Sequence, residues 1–386
     1  MIIAGGTYLE RCQYPKWERL FGSGMRAAIA ASGLSEGTVL HTYAPNVWKS
    51  DVEATLSSFG IVGKLAPTRH ELIFEYLDTL QKSFVPSVPD DNEQETPLSL
   101  DGEVVLRFGF MEGTAKVKGR TVVYDPQNSY VKFHANGSTA DRLAMILSED
   151  ELLGFGGLGD APRTDDNLAA AAQNVFDSKP APQIILTKDR LGGLQVYFGG
   201  SPISIKSYAA ESYFRIGVGD VLAAAFTHAW GELGMEPEEA ADFAARSVAY
   251  FVTDARLPLL SPPQLSGLRY SRNDGDDLRL LGVGRFEAKS LVMQTEILIR
   301  DFGGSTAFTY IDWDGEIRAE GPIDLLIIGS SERPSISGEI RERVGEPKVV
   351  FWPEFDRRTA QTCFPASRIA ADFPTALYHA MRTPSP

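Results

Sequence analysis

Short apolar runs alternate along this chain with amphipathic, alanine-rich stretches. A short apolar run bounded by glycine, proline or acidic residues predicts a buried strand, and apolar residues that recur every three or four positions predict a helix. In the first part of the chain this pattern predicts strands within residues 1–6, 38–43, 104–110, 121–126, 144–147, 183–187 and 194–198. Alternation of strands and helices is typical of an α/β protein.

A boundary is indicated by Pro258, Pro262 and Pro263 and the polar residues 271–277, because such sequences disfavour regular structure. Beyond it the alternation starts again, with strands predicted at 280–283, 306–311, 324–329 and 348–352 and helices at 287–302, 335–344 and 377–382. A chain of 386 residues is long for one domain. We therefore predict a first domain at 1–265, a linker at 266–278 and a small α/β domain at 279–386.

The turn Gly217-Val218-Gly219-Asp220 opens directly into an apolar helix and is the strongest candidate for chemistry. Two glycines let the backbone bend so that successive N–H groups face one point, and the helix N-terminus adds partial positive charge there. A carboxylate such as Asp220 beside a phosphate site has a use if it takes the proton of an attacking hydroxyl. Taken alone, a Gly-x-Gly-Asp sequence is more often only a turn.

Composition narrows the classes of partner. The formal net charge is −14, which argues against a nucleic-acid backbone or an anionic membrane as the main partner. The two cysteines, Cys12 and Cys363, have no metal-ligand spacing and no disulfide framework, which fits a reducing cytosol. No basic segment precedes an apolar stretch near Met1, and no apolar run is long enough to span a bilayer. We expect a cytoplasmic protein.

Further candidates lie elsewhere along the first domain. Glu10 follows a predicted strand, where a carboxylate can hold substrate hydroxyls, although an exposed loop acid is equally consistent with this segment. Gly22-Ser23-Gly24 forms a glycine turn before an alanine-rich helix, which permits close approach to a ligand or only a tight turn. The acidic cluster ending in Glu151 has the composition of a magnesium site and also of ordinary helix capping.

The order and spacing of these segments resemble the ribokinase-like (PfkB) sugar and nucleoside kinases over about the first 260 residues. The segments that carry the resemblance are residues 2–6 with Glu10, 22–24, 122–126, 148–151, 184–187 with 192–193, and 217–220. The resemblance implies a mostly parallel sheet flanked by helices, with a small β lid over the substrate. It also implies transfer of the γ-phosphoryl group of ATP, with Mg²⁺, to a hydroxyl of a sugar or nucleoside.

The resemblance also assigns roles to individual positions. Asp220 matches the catalytic base, and the amides of Gly217, Val218 and Gly219 match the anion hole. Glu151 matches the glutamate that organises Mg²⁺. The positions matching the substrate side are Glu10, Gly22 and Gly24, and those matching the ATP side are Thr187 and Gly192. Members of that family often pair through their lids, so the analogy extends to a homodimer.

Several positions depart from the pattern of that family. Phe214 and Arg215 stand where Asp-Thr is usual, Ser148 replaces an asparagine, and Met25-Arg26 follows the early glycines where an asparagine is usual. Arg215 is positioned either to give a cation to the transferring phosphoryl group or to fill the phosphate site. The second case predicts a domain that binds a ligand without turning it over.

The C-terminal domain weakly resembles nucleoside 2-deoxyribosyltransferases, through residues 324–329 followed by 335–340. In that family a glutamate after a Ser-Gly turn attacks the anomeric carbon, and Glu339 is the matching position. The alternative is an accessory Rossmann-like domain in which Glu339 has no chemistry. Three hypotheses follow for the whole chain: a kinase, a nucleoside or nucleotide sensor whose second domain cleaves an N-glycosidic bond or mediates assembly, and a non-enzymatic scaffold.

Overall fold

A computed structural model of the chain describes residues 1–127, 130–188, 193–199, 201–273, 277–301, 306–312, 317–330 and 332–384. The chain divides into two compact units. Unit 1 comprises Met1–Ala210 and Arg215–Leu268, and unit 2 comprises Glu211–Phe214 and Arg269–Pro386. The short segment Glu211–Phe214 thus belongs to unit 2, although it interrupts the sequence of unit 1.

Unit 1 contains twelve strands and six α-helices within its described residues. The strands are β1 (Ile2–Ala4), β2 (Leu9–Tyr14), β3 (Trp17–Leu20), β4 (Val39–Pro45), β5 (Val62–Thr68), β6 (Ile73–Asp78), β7 (Leu98–Phe108), β8 (Ala115–Asp125), β9 (Thr139–Ser148), β10 (Ile184–Lys188), β11 (Leu194–Tyr197) and β12 (Ile203–Ile205). The helices are α1 (Gly22–Ser32), α2 (Lys49–Ser58), α3 (Glu149–Phe155), α4 (Asp165–Asp177), α5 (Val218–Phe226) and α6 (Pro237–Val252). A π-helical turn, Thr227–Glu232, continues α5.

Nine of these strands form one sheet in the order β12-β11-β10-β9-β8-β7-β1-β4-β5, counted over the described part of unit 1. The seven strands from β10 to β5 are parallel to their neighbours, and β11 and β12 add an antiparallel edge. One core of unit 1 packs sheet residues such as Val122 and Leu143 against Leu152 of α3 and Ala171 of α4. The predicted fold class, a mostly parallel sheet flanked by helices, is confirmed.

Strands β7 and β8 begin earlier than the predicted 104–110 and 121–126. Their added halves alternate exposed and buried positions and pair in register from Leu98 with Ala115 onward. Alternation of this kind marks a half-buried strand, whereas the sequence prediction rested on continuous apolar runs. The charged residues in these halves interrupt the apolar pattern, so the sequence did not predict that these segments are strands. The opposite face of each segment is buried.

A second, three-stranded sheet has the order β3-β2-β6, with β2 antiparallel to β3 and parallel to β6. It matches the small β lid implied by the family resemblance. Of its three strands, only β6 lies in the aromatic segment 69–88. Strands β2 and β3 were missed because their residues are largely polar and partly exposed.

Unit 2 has a five-stranded parallel sheet and four α-helices in its described residues. Its strands are β13 (Ser271–Asn273), β14 (Leu278–Val283), β15 (Thr306–Asp312), β16 (Leu325–Ile328), β17 (Val349–Phe351), β18 (Arg368–Ala370) and β19 (Arg382–Pro384). Its helices are α7 (Phe286–Asp301), α8 (Ile336–Val344), α9 (Arg357–Cys363) and α10 (Phe373–Met381). The sheet order β15-β14-β16-β17-β18 is the doubly wound order 2-1-3-4-5 of flavodoxin-like folds.

The order of unit 2 refines the Rossmann-like expectation, because the classical dinucleotide fold has a different strand order. Strand β18 and helix α9 were not predicted, since both are short. The predicted linker 266–278 contains β13, which pairs with β19. Residues 302–305, which include the predicted end of the helix 287–302, lie outside the described residues.

Within the described residues, no helix has both the length and the apolar character that crossing a bilayer requires.

Helix α1 approaches strand β1 closely at one glycine. A Cβ on Gly24 would lie 2.3 Å from the carbonyl oxygen of Gly5. We predict that Gly24→Ala forces the two backbones apart and destabilises unit 1 by about 1–3 kcal/mol, the usual cost of overpacking. Urea unfolding followed by circular dichroism measures the effect. Gly267→Ala is the control, since a Cβ there meets nothing within 4 Å; equal unfolding midpoints for both variants would contradict the prediction.

Candidate active site

Asp220 lies in the first turn of α5, where it is 6% exposed. Gly217 precedes the helix with a left-handed backbone (φ 82°), which a glycine adopts without strain. The helix begins at Val218, three residues earlier than a turn ending at Asp220 would give. The N–H of Val218 donates to the carbonyl of Arg215 at 3.2 Å, so one amide of the predicted anion hole already has a protein partner.

The guanidinium of Arg26 joins the two carboxylates that the sequence singled out. Its Nη1 donates to Oδ2 of Asp220 at 2.7 Å, and its Nη2 donates to Oε2 of Glu10. Arg26 is 2% exposed and Glu10 is 3% exposed. Burial raises the pKa of Glu10, and the charge of Arg26 opposes that rise. Removing one member of such a buried group leaves an uncompensated charge.

Local structure explains how these side chains meet. Glu10 lies on β2, and its Oε1 accepts the N–H of Gly22 at 3.2 Å. That amide opens α1, whose next turn carries Arg26. Arg26 then reaches the start of α5, where a Cβ on Gly217 would lie only 2.2 Å from its Cδ. The two glycine turns of the sequence are therefore brought together, with Arg26 between them.

A second ion pair lies beside the same turn. Nζ of Lys188, at the end of β10, donates to Oδ2 of Asp125, at the end of β8, at 3.2 Å. A Cβ on Gly219 would lie 3.1 Å from that ammonium group. Burial raises the pKa of Asp125 to about 6, although Lys188 opposes the rise. Burial lowers the pKa of Lys188, but Asp125 and Glu151 outweigh it, and the net shift is upward.

Glu151 caps α3. Its Oε2 accepts the N–H of Ser148 at 2.6 Å and the hydroxyl of Ser148 at 2.8 Å, in a capping box. Among the described residues no group of three or more His, Cys, Asp or Glu side chains has the arrangement of a metal site. The prediction that Glu151 organises a hydrated Mg²⁺ stays a prediction, because such a role needs no set of direct ligands around this carboxylate.

The remaining predicted residues of unit 1 are placed as follows. Nη1 of Arg215 donates to the carbonyl of Leu80, just after β6 of the lid, at 3.5 Å. Thr187 is buried on β10, next to Lys188. Gly192 lies outside the described residues. The cation that lies against Gly217 is thus Arg26, a residue noted in the sequence only as a departure from the family pattern.

Tyr8 and Glu112 form a buried pair on the lid side of the site. The Tyr8 hydroxyl donates to Oε2 of Glu112 at 2.8 Å, and the same oxygen accepts the Met111 N–H at 3.2 Å. The Tyr8 ring stacks on Phe74 of β6, with centroids 5.0 Å apart. A Cβ on Gly6 would overlap that ring, at 2.0 Å from its Cζ. Tyr8 therefore covers the glycine backbone that follows β1.

In unit 2, Glu339 lies in the first turn of α8 and is half-buried. Helix α8 follows β16 in the sequence, and β16 neighbours β14 in the sheet. The crevice at the switch point of a doubly wound sheet lies at the carboxyl ends of two such strands. The role predicted for Glu339 remains a hypothesis.

Comparisons with solved structures give the fold neighbours of the chain. About two thirds of the chain is similar in structure to kinases of the ribokinase family. A pyrophosphate-dependent kinase of that family, complexed with a pyrophosphate analogue and myo-inositol, is 18% identical, with 65% of this chain and 95% of that chain covered and a TM-score of 0.46.

Two further neighbours have named sources. A phosphofructokinase-2 variant from Escherichia coli is 12% identical, covering 67% of this chain and 94% of its own, with a TM-score of 0.49. A fructokinase from Vibrio cholerae O395, in its fructose, ADP and calcium ion bound form, is 13% identical, covering 68% and 97%, with a TM-score of 0.49. No protein-family model matches the chain, and no curated protein matches it.

The residues of the site that the sequence did not single out include Arg26, Lys188 and Gln127, whose side-chain amide donates to Asp220. Arg26 gave a signal, because an arginine in an otherwise small and apolar helix is out of place unless it has a buried partner. Lys188 follows an apolar strand and gave no signal of its own. Gln127 follows Asp125-Pro126, a sequence that predicts only a turn.

Glu112 provides a pH-dependent test of the buried lid-side pair. Burial raises its pKa from 4.5 to about 7. A raised carboxyl pKa means that the folded state holds the proton more tightly, so its contribution to stability is full below about pH 4.5 and is lost as pH rises through 7. We predict that the wild-type protein loses about 3 kcal/mol of stability across this window relative to Glu112→Gln, which keeps the acceptor oxygen without the charge.

Thermal unfolding of both proteins at pH 5 and pH 8 measures this difference. Glu36→Gln, which changes an exposed carboxylate, is the control and should follow the wild type. If wild type and Glu112→Gln show the same change of Tm between the two pH values, Glu112 does not titrate in this window.

Proposed function

We propose that unit 1 is a phosphotransferase that moves the γ-phosphoryl group of ATP to a hydroxyl of a sugar or nucleoside. The observation that carries this proposal is the arrangement of charge around one turn. Arg26 lies against Gly217, Lys188 lies against Gly219, and the carboxylate of Asp220 follows in the same turn. Arg26, Lys188 and the helix N-terminus are the groups that stabilise a transferring phosphoryl group at this point, although each cation is also paired with a carboxylate.

The proposed step uses Asp220 as the base. Its carboxylate takes the proton of the acceptor hydroxyl while that oxygen attacks phosphorus; the new O–P bond forms as the bond to the leaving ADP oxygen breaks. Arg26 and Lys188 stabilise the negative charge on the equatorial oxygens. Glu10, whose carboxylate accepts the N–H of Gly22, supplies an acceptor group for further hydroxyls of the substrate.

One observation favours a second candidate, a unit that binds a ligand without turnover. The guanidinium of Arg26 lies between Glu10 and Asp220, the two residues proposed to hold the acceptor. If Arg26 keeps this position when a ligand binds, its guanidinium occupies the space that an acceptor held by both Glu10 and Asp220 would need. Unit 2, with Glu339, would then carry any chemistry, such as cleavage of an N-glycosidic bond.

Asp220→Asn distinguishes the two candidates. We predict that the wild-type protein, with ATP and Mg²⁺ in the assay, phosphorylates at least one member of a panel of sugars and nucleosides. Asparagine keeps the size and one acceptor oxygen but cannot take the proton, so we expect kcat to fall by about 100-fold or more. Coupled detection of ADP measures the rate, and mass spectrometry of the acceptor identifies the product.

Asp177→Asn is the matched control, because it removes an exposed carboxylate at the end of α4. A variant at Asp220 that keeps most of its activity would remove Asp220 from the mechanism. Calorimetric binding of a nucleoside or of ATP by a wild-type protein that turns over no acceptor would instead support the second candidate.

A further inference from the structure

The loop after β8 contains a residue with an unfavourable backbone conformation. The backbone of Gln127 has φ 51°. This is the left-handed region, which residues other than glycine, asparagine and aspartate seldom adopt. It follows Asp125 and Pro126 directly, at the carboxyl end of the strand. Strained residues of this kind persist where the surrounding structure holds them, and they concentrate at functional sites.

Hydrogen bonds show what this conformation achieves. The backbone N–H of Gln127 donates to Oδ1 of Asp125 at 3.2 Å, which closes a turn within the loop. The side-chain Nε2 then donates to Oδ1 of Asp220 at 2.9 Å. Arg26 holds the other oxygen, Oδ2. The carboxylate of Asp220 is therefore fixed from both sides, by a neutral amide and by a guanidinium.

We propose that Gln127 is a positioning residue for Asp220, and this inference rests on the proposed phosphotransferase function. The amide fixes the rotation of the carboxylate so that one lone pair stays directed at the acceptor hydroxyl. A neutral donor does this without adding charge to the base. A misplacement of a catalytic group by about 1 Å can cost on the order of 100-fold in rate, so the orientation of Asp220 has a large effect.

Gln127→Asn tests the positioning directly. Asparagine tolerates the left-handed backbone, but its side chain is one methylene shorter and no longer reaches Asp220. We expect kcat to fall by about 10- to 100-fold with KM unchanged, because the acceptor contacts stay in place. Gln127→Gly, which keeps the backbone and removes the amide, should give the same loss.

Gln127→Glu adds a readout that a purely structural residue would not change. A carboxylate beside Asp220 disfavours the charged base, so the acid limb of the pH profile of kcat/KM should move up by about one unit. The charged and titratable groups that face Asp220 in the wild type are Arg26, Glu10, Tyr76, Asp125 and Lys188. All five of these residues are the same in Gln127→Glu as in the wild type.

Ala255→Gly is the matched control. Ala255 also has a left-handed backbone, with φ 52°, so glycine removes the same kind of strain at a position outside the proposed site. We expect its kcat, KM and pH profile to equal those of the wild type. A fall in kcat for this control as large as that for Gln127→Gly would mean that the loss comes from the backbone, and it would overturn the positioning role.

The outcomes separate this inference from the function on which it rests. If the wild type turns over an acceptor and Gln127→Asn keeps kcat within about 2-fold, the inference is wrong and the function stands. If the wild type turns over no acceptor, the function fails, and crystal structures of wild type and Gln127→Asn decide the inference. An Asp220 carboxylate rotated away from its wild-type position in the variant supports the inference, and an unchanged carboxylate overturns it.

Discussion

One buried guanidinium connects three segments that are distant in the sequence. Arg26 of α1 pairs with Glu10 of β2 and with Asp220 of α5, and all three side chains are almost completely buried. Charges removed from water are tolerated only when they are paired and hydrogen-bonded, so none of the three can leave without cost to the other two. The lid sheet, the first helix and the candidate catalytic helix are thereby held in one arrangement, which any ligand at Asp220 must accommodate.

The buried ion pairs leave the site with more negative than positive charges. Around the Gly217 turn the described residues place four carboxylates, on Glu10, Asp125, Glu151 and Asp220, against two cations, on Arg26 and Lys188. Burial with this excess of negative charge raises the pKa of Glu10 and Asp125. In the proposed function a phosphate donor adds further negative charge, so its binding should be coupled to uptake of protons or cations.

Sequence patterns recovered the parts of unit 1 that depend on short-range signals. Continuous apolar runs identified the buried parallel strands, and the Gly-x-Gly-Asp sequence located the start of α5 to within three residues. The site as a whole could not be predicted in this way, because it depends on side chains that meet only in the folded chain. Arg26 and Asp220 are 194 residues apart, and Gln127 reaches Asp220 across 93 residues. Polar strands such as β2 also escaped prediction. The buried Glu10 of β2 is paired with Arg26 of helix α1, and the sequence does not show that the two residues meet.

A double-mutant cycle on Arg26 and Asp220 tests most directly whether this ion pair organises unit 1. The free energy of unfolding is measured for the wild type, Arg26→Met, Asp220→Asn and the double variant. A buried pair predicts that each single variant is destabilised, Arg26→Met by about 3–5 kcal/mol, and that the double variant recovers about 2 kcal/mol relative to the sum. Additive effects within about 0.5 kcal/mol would contradict the account, because they would mean that Arg26 and Asp220 contribute independently.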